Sequence, residues 1–238
     1  MRSESRRDAL KLLGGLGAFA LADCGATTRS APSCLLDPTL TKGPYWIDER
    51  LNRSNIVLDT NNVATPNPRP GLPLNIQITV VAPAAGGCAP LVGAQVDVWH
   101  CDAGGAYSEV QALGTSGENF LRGYQTTDAS GVARFVTIYP GWYPGRAVHV
   151  HVKVRLFDAS GNVTTEATTQ LFFDDSVTDQ VFGSASPYNQ RPARDTRNDI
   201  DAFYAGNSEL LWNLQGDPRT GYTALMTVGV QVGAVNTG

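Results

Sequence analysis

Two of the chain's three histidines stand one residue apart, as His149-Val150-His151, shortly after Tyr143. On an extended strand, residues i and i+2 point to one face about 6.5–7 Å apart, so both imidazoles can converge on one metal ion. The surrounding pattern predicts such a strand. From Ala147 to Leu156, Val148, Val150, Val152 and Val154 alternate with His149, His151, Lys153 and Arg155. The valines are expected to face a core and the histidines something wetter. A polar stripe on a half-buried strand is commonplace, and His-x-His alone says little. Two tyrosines in glycine-rich surroundings, Tyr107 and Tyr143, add to it. Anionic oxygen suits a hard trivalent cation such as ferric iron, and a bound metal can deprotonate a phenol whose free pKa is about 10. Neutral imidazoles complete such a ligand set without adding charge.

The elements that must position these residues read as strands. Signals recur at Leu74 to Val81, Ala94 to His100, Ala133 to Tyr139, Ala147 to Leu156, Glu166 to Phe173 and Thr223 to Val232. Asp128-Ala129-Ser130-Gly131 and Asp158-Ala159-Ser160-Gly161 supply turns between them. This spacing predicts an all-β fold, a β-sandwich of two antiparallel sheets with long loops and little helix. Only Asp199 to Leu214 suggests short helix, and no internal repeat is present.

The run Thr137-Ile138-Tyr139-Pro140-Gly141-Trp142-Tyr143-Pro144-Gly145-Arg146-Ala147-Val148-His149-Val150-His151 closely resembles the intradiol ring-cleavage dioxygenases, especially their secreted members. Further segments agree in order. They are Lys42-Gly43-Pro44-Tyr45-Trp46, Val96 to Ser108 with Tyr107, Phe120 to Asp128, Thr169-Gln170-Leu171-Phe172-Phe173 and Arg194-Asp195-Thr196-Arg197-Asn198. The resemblance implies a non-haem enzyme with one Fe(III) per chain, held by Tyr107, Tyr143, His149 and His151. It places Arg146 and Gln170 beside the metal, with Tyr143, Arg146 and Gln170 serving catalysis. The implied reaction uses O2 to open a catecholic ring between its two hydroxyl-bearing carbons, giving a muconate-type diacid. Tyr143 would be the ligand displaced by substrate, and Arg146 would offer a fixed positive charge where negative charge develops. Lys42, Pro44 and Tyr45 become candidates for the pocket mouth. Trp99, Trp142 and Tyr139 suit an aromatic pocket or the core equally, and His100 reads as structural or exposed.

Residues 1–22 read as a twin-arginine export signal, with Ser5-Arg6-Arg7-Asp8-Ala9-Leu10-Lys11 followed by an apolar stretch too short to span a membrane. Export to the periplasm, the exterior or the cell surface as a lipoprotein is expected. Cleavage after Ala22 competes with a lipobox at Leu21-Ala22-Asp23-Cys24, which makes Cys24 a candidate lipid anchor. Residues 23–44 read as a flexible tether and residues 45–238 as one catalytic domain. Cleavage after Ala22 leaves Cys24, Cys34, Cys88 and Cys101 with three full pairings open, and a Cys34–Cys88 disulfide is expected.

The 238 residues are 42% hydrophobic and 17% charged, with a net charge of −4, so no basic patch for nucleic acid or anionic membrane is expected. The expected partners are a small aromatic diol and O2. No long amphipathic segment near the N-terminus matches the dimerising domain of cytoplasmic catechol dioxygenases, and the sequence leaves the oligomeric state open. Two other readings stand beside the enzyme: a non-catalytic transthyretin-like β-sandwich binding module, and the same site filled by copper or zinc.

Overall fold

Alternating apolar and polar residues mark the longer strands of the nine that form two sheets in a computed structural model, which describes residues 39–61 and 66–236. The export signal, Cys24 and Cys34 lie outside the described residues. The strands are β1 (Pro73–Ala84), β2 (Gly87–Pro90), β3 (Gln95–Trp99), β4 (Arg122–Thr126), β5 (Val132–Ile138), β6 (His149–Phe157), β7 (Val163–Phe172), β8 (Asn213–Asp217) and β9 (Gly221–Gly229). One sheet runs β4-β3-β6-β7, and β1 organises the other through pairings with β2, β5 and β9. The first is antiparallel throughout. The second departs from the expected pattern, because β1 and β9 run parallel.

All six strand signals fall on strands, and β2, β4 and β8 join them. These three are short and only partly apolar, so their sequences carry little alternation. The short helix expected over 199–214 is present only as 3-10 turns, and the α-helix lies elsewhere. An α-helix, α1, spans Asp175–Ser184, whereas the 199–214 region holds short 3-10 turns and the start of β8. Asp174 starts α1 by accepting hydrogen bonds from the Ser176 and Val177 amides at 2.8 and 3.4 Å. Among the described residues, no helix is long and apolar enough to cross a membrane.

The core lies between the sheets. Leu74, Ile76, Ile78 and Val80 of β1 are buried, as are Val96 and Val98 of β3 and Val150, Val152 and Val154 of β6. The opposite face of β6 is not wet as alternation suggested. His149, His151, Lys153 and Arg155 are also buried, because the chain before β1 crosses this face. The last residues of the presumed tether therefore do not behave as one: the Leu40 amide donates to the Thr168 carbonyl at 2.9 Å, and Gln170 Nε2 donates to the Thr41 carbonyl at 2.8 Å.

Burying a polar face requires partners for it. Lys153 Nζ meets Glu166 Oε1 at 2.6 Å, and its charge lies 4.6 Å from the centre of the Trp46 ring. Arg155 pairs with Asp97 at 3.0 Å and Asp48 at 2.8 Å. Burial nevertheless pushes the Asp97 carboxyl up to about 6, against the pull of Arg155. Cys88 is disulfide-bonded, and Cys101 is a buried free thiol.

Replacing Arg155 with methionine leaves the buried Asp97 carboxyl without its charged hydrogen-bond partner and with the Gln95 amide donating to it at 3.1 Å. Removing one partner of a buried pair costs about 3–5 kcal/mol. R155M is expected to lower Tm clearly, and adding D97N to recover much of the loss. Thermal unfolding of the three proteins checks this, and an unchanged Tm in R155M would contradict it.

Candidate metal centre

The candidate residues come from three places: β6, the loop after β3 and the loop before β6. His149 and His151 project from the same face of β6, and their Nε2 atoms lie 3.2 Å apart. Tyr107 and Tyr143 arrive on the two loops, which press tightly together. The Gly141 amide donates to the Asp102 carbonyl at 3.0 Å. A Cβ at Gly105 would collide with the Trp142 carbonyl, and one at Gly141 with the Asp102 and Ala103 carbonyls. Gly105 also has φ +90°, in the region that favours glycine. These two glycines let the tyrosine loops meet.

The four side chains converge. The ring centres of Tyr107 and Tyr143 are 5.6 Å apart, those of Tyr143 and His149 5.6 Å, and those of Tyr107 and His151 6.2 Å. His149 Nδ1 lies 2.7 Å from the Ala147 carbonyl, which can only accept. That nitrogen therefore carries the proton, and Nε2 presents a lone pair. Tyr143 Oη and His151 Nε2 each approach this lone pair to 3.2 Å. The Tyr107 hydroxyl is buried without a hydrogen-bond partner.

Electrostatics sharpen the picture. Burial, assisted by Arg146, pushes His149 down to about 3, and burial pushes His151 well below its usual value. Both rings thus stay neutral and able to ligate. Burial raises Tyr143 to about 12 and holds Tyr107 well above the ordinary phenol value. Without an added positive charge both phenols keep their protons. Two neutral imidazoles and two phenols, the Tyr107 hydroxyl orphaned and buried, aimed at one small volume fit a hard cation. Among the described residues, no group of three or more His, Cys, Asp or Glu stands where it could hold a metal. Any metal held here would therefore use the phenols.

Arg146 and Gln170 flank the cluster. Arg146 Nη1 donates to Tyr143 Oη at 3.4 Å, and Nη2 bonds to Gln170 Oε1. Gln170 sits opposite His151 in the β6–β7 register. Sequence reasoning missed Asp201, whose side chain is fully buried. Its Oδ2 accepts from Arg146 Nε at 2.9 Å and from the Ala147 amide at 2.8 Å. Phe203 packs its ring 4.4 Å from the Arg146 guanidinium. Nothing in the 198–204 stretch announces this role, because it depends on a long-range approach to residues 146–147.

Of the pocket-mouth candidates Lys42, Pro44 and Tyr45, Tyr45 stacks on Tyr107 at 4.6 Å, and Gly43, between the first two, lies against His151. Of the aromatic candidates, Trp99 stacks on His151, while Tyr139 packs in the core against Phe173. Trp142 lies under Arg191. His100 is buried and structural, its ring bonded to the Cys101 carbonyl at 2.8 Å and Thr137 Oγ1 at 2.7 Å.

Comparison with known proteins agrees with this architecture. The Dioxygenase_C family model, described as a dioxygenase, matches residues 41–191. An intradiol ring-cleavage dioxygenase from Tetranychus urticae is 32% identical, with a TM-score of 0.68 over 83% of this chain and 95% of that one. The dioxygenase domain of a dioxygenase carbohydrate-binding protein fusion from Streptomyces sp. SirexAA-E is 30% identical, with a TM-score of 0.56 over 82% and 97%. The hydroxyquinol 1,2-dioxygenase from Pseudomonas putida DLL-E4, 18% identical with a TM-score of 0.56 over 86% and 68%, shares the fold. No curated protein matches the chain in sequence. The chain belongs to the intradiol ring-cleavage dioxygenases, a family of oxidoreductases.

Burial opposes ionisation of Asp201, but the Ala147 amide and Arg146 outweigh it and hold its carboxyl below the ordinary value of 3.8. A depressed carboxyl pKa contributes stability above the unfolded value, which is lost as pH falls through the folded one. Asp201→Asn is therefore expected to destabilise the protein at neutral pH, with the gap from wild type closing in acid. Denaturant unfolding at about pH 7 and about pH 3 measures this. A gap independent of pH would show that the charge of Asp201 is not what stabilises.

Proposed function

We propose that the protein holds one Fe(III) through Tyr107, Tyr143, His149 and His151, and uses O2 to cleave a catecholic ring between its two hydroxyl-bearing carbons. The observation that carries this reading is the convergence of two neutral imidazoles, their Nε2 atoms 3.2 Å apart, with two phenols. Imidazole nitrogens alone would suit zinc or copper as well, but paired phenols favour a hard trivalent ion. When bound, the ferric ion supplies the charge that ionises the phenols and withdraws electron density from a coordinated diol.

The protein's own groups divide the remaining tasks. Tyr107 is sealed at 1% exposure, whereas Tyr143 is only partly buried. This asymmetry suits Tyr107 to hold the metal throughout and Tyr143 to be the ligand that would yield to substrate. Tyr143 Oη would then take one proton from the incoming diol, so that one anionic oxygen would replace another and the charge of the site would stay constant. Arg146 is held from behind by Asp201 and from the side by Gln170, so its charge is fixed before substrate arrives. A preorganised cation of this kind stabilises negative charge as it develops on the ring and the incoming oxygen. The product is a muconate-type diacid.

Arg6-Arg7 and the apolar stretch after them support twin-arginine export, which carries folded proteins and would suit loading of iron before export. We place the working enzyme outside the cytoplasm on that ground.

Tyr107→Phe and His149→Ala are each expected to lose bound iron and activity together. Arg146→Ala is expected to keep its iron and lose turnover by about 10²–10³-fold, the usual effect of removing one charge-stabilising group. Iron content and oxygen uptake with a catechol measure both. Full iron and full activity in either ligand variant would overturn the site assignment.

A further inference from the structure

The two histidines are held in different ways. His149 has the usual support of a ligating histidine, because its second ring nitrogen bonds to a backbone carbonyl at 2.7 Å. His151 has none: its Nδ1 is buried without a partner. Its ring lies flat against the Trp99 indole instead, with centres 4.8 Å apart and planes 8° from parallel. Trp99 and His151 are directly opposite in the antiparallel β3–β6 register, so the backbone brings the two rings together.

The indole is itself clamped. Trp46 packs on it with ring centres 4.6 Å apart, and the charges of Lys153 and Arg155 lie 4.6 and 5.3 Å from the centre of the Trp46 ring. Trp99 is 1% exposed, and its Nε1 has no hydrogen-bond partner. What Trp99 offers is therefore a rigid aromatic face.

We propose that Trp99 is the positioning residue of His151, its stacked face doing for this ligand what the Ala147 carbonyl does for His149. The proposal rests on the reading of His151 as an iron ligand. A flat wall restricts ring tilt and keeps Nε2 pointing at the cluster. Without it, a side chain that lacks any second hydrogen bond has rotational freedom to lose on binding metal.

The test compares iron-loaded wild type with W99F, W99L, F135L and H151A. Iron release to excess EDTA and the ferric EPR line shape are measured on each, and thermal unfolding reports stability. Phe135 is a buried residue of β5 in the other sheet, so F135L controls for loss of core packing alone. W99L is expected to release iron about 10–100-fold faster than wild type, the usual range for losing the support of a ligand, with an altered line shape. W99F keeps a stacking face and is expected to stay within about threefold of wild type in release rate, with an unchanged line shape. F135L is expected to lose stability without changing either iron signal.

A W99L that holds iron like wild type while H151A loses it would overturn the role of Trp99 alone. An H151A that holds iron normally would overturn the ligand reading beneath it. If W99F behaves like W99L, or F135L releases iron as fast, the effect is core packing and the proposal fails.

Discussion

The structure turns on one constraint: β6 buries both of its faces, and one of them is polar. Val150, Val152 and Val154 satisfy the core side by simple burial of apolar surface. The other side carries two imidazoles, an ammonium and a guanidinium, none of which tolerates burial alone. At the Phe157 end, carboxylates and the Trp46 ring meet the two cations. At the His149 end the partners of the rings are the Ala147 carbonyl, the Tyr143 phenol and each other. The strand thus grades from an ion-pair network into a cluster of lone pairs. A bound cation is what such a cluster accommodates.

The covering segments follow from that constraint. The 39–49 stretch crosses the polar face, contributing Tyr45 over Tyr107, Trp46 over Trp99 and Asp48 to Arg155. Arg122, itself buried, ties this stretch to the loop after β3 by donating to the Tyr45 carbonyl at 2.6 Å and the Ser108 carbonyl at 2.7 Å. Tyr107 is held between those two anchors. The site is therefore built by four regions distant in sequence and is stable only as the whole polar face closes.

Much of this was legible in the sequence, and the reasons differ from residue to residue. The alternation from Ala147 to Leu156 gave the strand and placed both histidines on one face, because the strand period is short-range and strict. It could not say that the second face is buried, since burial there is supplied by a segment about a hundred residues away. Tyr107 and Tyr143 stood out by their glycine-rich surroundings and became ligands by resemblance to a family, and the close approach of their loops shows in hindsight in Gly105 and Gly141. Trp99 was readable in principle, being on the same face as His151 once β3 and β6 are paired in register. Asp201 was not readable, because a carboxylate that reaches back to residues 146–147 from a loop of 3-10 turns leaves no local pattern. The parallel pairing of β1 and β9 was invisible for the same reason: strand direction is a property of chain topology, not of residue alternation.

The central claim is that two phenols and two imidazoles hold a ferric ion that meets the substrate directly. The visible spectrum of the purified protein, taken with iron quantification and repeated after anaerobic addition of a panel of catechols, tests it most directly. The account predicts about one iron per chain, a broad tyrosinate-to-iron band that colours the protein reddish, and a shift of that band with at least one catechol before oxygen is admitted. A protein that stays colourless and free of iron after ferric loading, or whose band ignores every catechol, would contradict it.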